Sequence, residues 1–263
     1  AIVTFIVRSL LGESYIWLRI VTALTAGLSV LIASRITRKL GGGRFAQNLT
    51  CLAMVAGPGI WAMFSFYSMN ALDIVIIGVA VLIVIDIIHG GDKKLWLVFG
   101  AVAGVGLANK MTMLVYIFAL FVGLLATRHR SMFKTKLLYA GAAIAGLMFI
   151  PHIIWQVMHD WPTLEFIRIT QEYSIYPFSI AGFLWQIILT LNPVITPLWV
   201  GGLLFFLFGK EKKYRILGIL ALVFLLVYTV QRSKVYYVYP VMPLLFAGGA
   251  IIMERFFKKN SSS

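Results

Sequence analysis

Acidic residues are scarce in this chain: nine Asp and Glu stand among 263 residues, against 23 Lys and Arg. Charged residues of both signs reach only 12%, where a soluble domain carries about 25%. So little charge cannot clothe a soluble surface, and the 61% hydrophobic content and mean hydropathy of +0.94 point the same way. Cysteine is nearly absent. The single Cys51 lies within an apolar run, which rules out a disulfide framework and a cysteine-based metal site. The familiar phosphate motifs fail as well. Gly41 to Gly43 are not followed by Lys-Ser or Lys-Thr, and Gly104 and Gly106 follow no strand, so neither a P-loop nor a dinucleotide fingerprint is present. No internal repeat, low-complexity domain or soluble domain boundary interrupts the chain before the terminal NSSS, which reads as a frayed end.

What the chain does have is a succession of apolar runs that reach or approach the roughly 20 residues a helix needs to cross hydrocarbon, without the alternation of a barrel strand. The fold class is therefore all-α: a polytopic transmembrane helix bundle forming a single transmembrane domain over residues 1–263. About nine spans are expected, near 15–39, 45–65, 71–89, 94–109, 111–127, 135–158, 194–208, 214–231 and 236–257. Outer-face interfacial helices complete the set. Residues 1–12 are too short to span and carry Arg8, so they suit a helix lying in the interface or the tail of an element expected upstream. Asn192, Pro193 and Pro197 interrupt the run from Phe178 to Phe208, which makes 178–191 an outer-face or re-entrant helix. Gly100 and Gly104 form a small-xxx-small pair suited to close helix packing.

Nine crossings impose a parity that the charges can test. Arg35, Arg38, Lys39 and Arg44, then Lys93 and Lys94, then Arg128, Arg130, Lys134 and Lys136, then Lys210, Lys212, Lys213 and Arg215, and finally Arg255, Lys258 and Lys259 all fall on one side. That side holds 17 of the 23 basic residues, and the positive-inside rule makes it cytoplasmic. The same distribution removes nucleic acid as a partner, because the basic residues sit in short turns and not on one soluble face. The other side collects mixed charges, including Arg8, Glu13, Arg19, Asp73, Lys110, Asp160, Glu165, Arg168, Arg232 and Lys234. Mixed charge there marks a site.

Two stretches on that outer side carry chemistry. The segment PHIIWQVMHDWPTLEF, residues 151–166, gathers His152, His159, Asp160, Glu165 and two tryptophans, groups that need water, partners or a ligand near hydrocarbon. His152 and His159 are seven apart and share one helical side, but no third ligand stands in register and no metal site is expected. Lys110 lies between two apolar runs with almost no loop, so burial demands an anion or a carboxylate such as Asp73. Arg232 and Lys234 are followed by Tyr236, Tyr237 and Tyr239, an edge suited either to a phosphate with a sugar stacked beside it or to interfacial anchoring.

These residues also carry a likeness. Ser68-Met69-Asn70-Ala71-Leu72-Asp73, Gly104-Val105-Gly106-Leu107-Ala108-Asn109-Lys110, Pro151-His152-Ile153-Ile154-Trp155-Gln156 with His159-Asp160-Trp161-Pro162, and Lys234-Val235-Tyr236-Tyr237 with Tyr239-Pro240 occur in order along the chain. Together they resemble the bacterial branch of the family 39 membrane glycosyltransferases, GT-C type enzymes related to protein O-mannosyltransferases and lipid A aminoarabinose transferases. The resemblance implies transfer of a sugar from a polyprenyl-phosphate-linked donor to a lipid, glycan or protein acceptor, at the periplasmic or outer face of the bacterial inner membrane. Relatives place an acidic pair in a first outer loop. That loop has no counterpart here, so the catalytic base is unassigned and this stretch alone is expected to be inactive. In such a reaction cations stabilise the departing phosphate while a carboxylate deprotonates the acceptor hydroxyl. Lys110, Arg232 and Lys234 are then the expected phosphate contacts, Tyr236 and Tyr237 a stacking edge, and Asn70, Asp73, His159 and Asp160 the orienting groups. No cofactor is implied with certainty, and whether a divalent metal takes part stays open. Membrane lipids are the remaining partners. The competing readings are a transporter or flippase of a lipid-linked saccharide, which inverted repeats would favour, and a membrane scaffold whose polar groups only anchor it.

Overall fold

The computed structural model describes residues 2–172 and 178–260. The described residues form helices joined by turns, with no strand among them. In chain order they are α1 (Ile2–Leu11), α2 (Tyr15–Lys39), α3 (Arg44–Ala56), α4 (Pro58–Phe64), α5 (Met69–Ile88), α6 (Leu95–Asn109) and α7 (Thr112–Leu125). There follow α8 (Lys136–Met158), α9 (Pro162–Glu172), α10 (Ile180–Leu191), α11 (Thr196–Phe208), α12 (Arg215–Val230) and α13 (Met242–Asn260). Short 3₁₀ segments precede α8, α11, α12 and α13. Ser261 to Ser263, the end that reads as frayed, lie outside the described residues.

The nine-span expectation is not reproduced as nine long helices. Five helical stretches are long and apolar enough to cross a membrane, or seven if each of two sharply bent pairs is one span, and Leu95–Asn109 is a shorter apolar helix. The expected span at 45–65 breaks at Gly57, because Pro58 opens α4 and holds the residue before it out of the helical region, at φ −87° and ψ 105°. The interruption at Asn192 is a bend of 99° between α10 and the following Pro193–Phe208 stretch. There Asn192 adopts φ 82° and its Oδ1 accepts from the Val194 amide at 3.0 Å. These two breaks meet in space, with the Asn192 side-chain amide reaching the carbonyl of Ala56 at 3.5 Å.

At the core of the bundle lie α5 and α13, flanked by α2, α3, α6 and α11, with α12 packed on α7 and α11, while α8 packs on α6 and leaves most of its apolar surface outward. Exposed Leu147, Ile150, Ile154 and Val157 on α8 match a helix facing lipid. Close backbone approach holds the pairs together. A methyl group on Gly100 would collide with the Gly141 carbonyl, and one on Gly104 with the Met148 side chain, so the expected small-residue pair does pack α6 on α8. Gly202 and Gly249 do the same for α11 and α13, facing the carbonyls of Leu245 and Leu198.

The charge parity also has a spatial counterpart. Lys39 pairs with Asp86, His89 Nε2 lies 2.9 Å from the Tyr214 hydroxyl, and His129 bonds the Lys213 carbonyl at 3.0 Å. Arg255 pairs with Glu211 at 2.8 Å, and Glu254 accepts from the Gly43 amide at 2.7 Å. The turns at 40–43, 89–94, 128–134 and 209–215 therefore gather with the end of α13 at one end of the bundle.

Candidate functional site

At the opposite end of α5, about 30 Å away at 1.5 Å per residue, the helix begins with Asn70 and Asp73. Three residues apart, they share one face. Lys110 meets that face from the break between α6 and α7, where its backbone is extended at φ −161° and ψ 143° and its amide still bonds the Gly106 carbonyl at 2.8 Å. The break turns the lysine inward. Its Nζ donates to Asn70 Oδ1 at 2.8 Å and lies 3.8 Å from Asp73 Oδ2, with the two charged side chains only 7% and 1% exposed. Neighbouring Asn109 donates to the Met69 carbonyl at 3.0 Å, which pins the start of α5 to the end of α6.

The remaining wall is aromatic. Lys110 Nζ stands 4.1 Å from the ring centre of Tyr237 and 5.3 Å from that of Tyr236. The two rings stack at 4.8 Å and 20°, and Tyr237 in turn meets Tyr228 of α12 at 5.2 Å. A cation facing tyrosine rings gains electrostatic attraction when partly removed from water. Both carboxylate oxygens of Asp73, the hydroxyl of Thr112 at the start of α7 and that of Ser68 are buried without a hydrogen-bond partner. Buried groups of this kind ordinarily find one, so this end of the bundle is polar beyond what its own side chains satisfy.

Of the residues singled out in the sequence, the structure brings together Asn70, Asp73, Lys110, Tyr236 and Tyr237. Asp73 supplies the carboxylate that a buried Lys110 demands. Arg232 and Lys234 lie in the turn that leads from α12 to Tyr236; Arg232 has φ 54° and lines an open cavity of about 320 Å³ with Phe178, Ile180 and Val230. Among the described residues no hydrogen bond, ion pair or ring contact joins His159 or Asp160 to the Lys110 cluster. They sit exposed at the end of α8, where His159 stacks on Trp155 at 4.7 Å and bonds its carbonyl at 2.8 Å. The shared stripe of His152 and His159 is real, but aromatic rings fill it: Phe149, His152, Trp155 and His159 follow one another along α8. Among the described residues no group of three His, Cys, Asp or Glu could hold a metal ion.

Sequence reasoning missed Thr112 and Tyr228, and gave no role to Gln156 although it closes one of the quoted motifs. Gln156 is buried and ties α8 to the first turn of α9, bonding the Thr163 hydroxyl and accepting from its amide at 3.2 Å. Between them Asp160 and Trp161 take φ 57° and 59° to make the turn. A glutamine in an apolar helix was the available signal. Tyr228 and Thr112 gave none, since a tyrosine or threonine at the end of an apolar run is ordinary.

Fold and site define an all-helical integral membrane protein that holds a buried, aromatic-lined cation at one end of its bundle. The family model described as dolichyl-phosphate-mannose-protein mannosyltransferase matches residues 2–155, more than half of the chain, and the chain belongs to that family. Two solved structures of ArnT from Cupriavidus metallidurans share its fold. The apo form is 20% identical with a TM-score of 0.70, covering 98% of this chain and 50% of the ArnT chain. The form bound to undecaprenyl phosphate is 21% identical with a TM-score of 0.72, covering 96% and 49%. This chain thus spans about half the length of the solved relatives it matches. No curated protein matches it by sequence.

Proposed function

We propose that this chain belongs to a membrane glycosyltransferase that takes its sugar from a polyprenyl-phosphate carrier and passes it to an acceptor at the outer face of a bacterial inner membrane. One observation carries the reading: Lys110, buried at the end of the bundle opposite the basic turns, is held by Asn70, Asp73 and the Tyr237 ring. Asp73 compensates that charge from 3.8 Å, and the ammonium keeps a donor proton that an anionic ligand can take up. Undecaprenyl phosphate bound to a structure of the same fold, together with family membership, supports the nature of that anion.

In this reading Lys110 contacts the carrier phosphate and neutralises the charge that grows on it as the glycosidic bond breaks. Asn70 and Asp73 fix the ammonium, leaving a donor proton for phosphate oxygen. Tyr236 and Tyr237 form the wall against which the donor lies. Arg232 and Lys234, in the adjoining turn, add positive charge where the phosphate enters, and His159 and Asp160 act on the acceptor side of the outer face. The transporter reading draws no support from the family match.

The test uses the full-length protein in nanodiscs with a photoreactive polyprenyl-phosphate probe. Labelling competed by undecaprenyl phosphate is expected, with loss of about tenfold or more in Lys110→Met, the loss of one charge-assisted contact in a desolvated site. Equal labelling of wild type and Lys110→Met, with both proteins folded, would remove the phosphate role. Failure of the wild type to transfer sugar from any polyprenyl-phosphate donor would remove the enzyme reading.

A further inference from the structure

The gathered turns at the other end of the bundle line an open cavity of about 470 Å³. Its wall is assembled from four separate parts of the chain. Lys39 comes from the last turn of α2, His89 from the end of α5, Glu211, Lys213 and Tyr214 from the turn before α12, and Arg255 from α13. Leu40 and Ile88 supply apolar wall at the same level.

Three cations therefore converge on a space that only one acid, Glu211, shares with them. Arg255 is paired to Glu211 through one nitrogen, and Lys39 to Asp86, which stands behind it. Lys213 has no carboxylate within 4.0 Å among the described residues; its ammonium lies 4.8 Å from the ring centre of Tyr214. The position of Lys213 is fixed from outside, because its carbonyl accepts from the ring of buried His129. The excess positive charge is thus presented at a set place and not on a free tail.

We propose that this cavity binds a phosphate group at the membrane surface, as carried by the head of an acidic phospholipid. The cavity lies at the ends of α2 and α5, helices of membrane-spanning length, which puts it where headgroups lie. Basic pockets between such helix ends are the usual means of holding anionic headgroups. Lys213 and the free nitrogens of Arg255 donate to the phosphate oxygens, and Leu40 with Ile88 faces the glycerol side. The proposal does not depend on the sugar-transfer reading, since it concerns the other end of the bundle.

Binding to the full-length protein is measured by native mass spectrometry from detergent, with dioleoyl phosphatidylglycerol, dioleoyl phosphatidylcholine and inorganic phosphate as separate probes. Phosphatidylglycerol is expected to bind in preference to phosphatidylcholine, and Lys213→Gln to weaken it about fivefold, the effect of one basic residue near the surface. Arg255→Gln adds a similar loss. Lys134→Gln with Lys136→Gln, on the same basic end but outside the cavity, should leave binding within about twofold. Competition by inorganic phosphate supports recognition of the phosphate alone, and its failure to compete supports recognition of the whole headgroup. Equal binding of the two lipids with no binding of phosphate, or equal losses in the cavity and control variants, overturns the site.

Discussion

Replacing Lys110 by methionine removes a charge of nearly the same length from a place where its absence is felt. Asp73 is left buried, with neither oxygen hydrogen-bonded and its ion pair at 3.8 Å gone. At an effective dielectric of about 20 that pair is worth about 4 kcal/mol, and stranding one member of a buried pair costs about 3–5 kcal/mol. Asp73→Asn is milder, since Lys110 keeps Asn70 at 2.8 Å and the Tyr237 ring at 4.1 Å; about 1–3 kcal/mol is expected. The double variant strands no charge. Its loss should therefore fall short of the sum of the single losses by at least about 2 kcal/mol. For a chain of this size each kcal/mol moves the midpoint by roughly 2–4 °C, so Lys110→Met should melt roughly 6–20 °C lower. Thermal unfolding of the full-length protein in detergent, followed by tryptophan fluorescence, gives all four corners of the cycle. Additive losses, within about 0.5 kcal/mol, would show that the two side chains do not interact and that the cluster is not a unit.

Three further outcomes can be checked on the same preparation. Gly100→Leu drives a side chain into the Gly141 carbonyl and should destabilise the α6–α8 contact by at least about 1–3 kcal/mol; an unchanged melting midpoint would mean the helices do not approach there. Glu254→Ala strips the acceptor from the Gly43 amide and one ion-pair partner from Lys258, and should cost about 1–3 kcal/mol, read as faster hydrogen exchange at the α2–α3 turn. His89 titrates below its ordinary value, first because burial penalises its charged form and next because Lys213 and, less strongly, Lys39 repel it, against the opposing pull of Asp86 and Glu211. The unfolded chain then binds the extra proton, so stability should fall as pH drops through about 6.5. His89→Gln should flatten that slope, and an unaltered pH profile in the variant would assign it elsewhere.

Much of this protein could be read before any fold was in hand, because hydropathy and charge bias are properties of the chain in order. The helical class, the helices at 15–39, 69–88 and 136–158 to within a few residues, and the side on which the basic turns gather all follow from them. Lys110 could be singled out on similar grounds, since a lysine between two apolar runs with no loop demands a partner. The partners were less legible. Asn70 and Lys110 are 40 residues apart, and Tyr237 is further still; only the packing of α5 against α6 and the 3₁₀ segment Val235–Val241 decides that they touch. The same packing separates His159 and Asp160 from that cluster, although they belong to the segment with the densest chemistry in the sequence. Helix count belongs here too. An apolar run looks continuous whether or not it crosses straight, and the bends at Gly57 and Asn192 are set by prolines whose effect depends on what each break packs against. Composition, then, determined what kind of medium the chain occupies and which of its turns are basic. Tertiary structure alone decided which polar groups share a cavity, because distances between side chains on different helices are written in no single stretch of the chain.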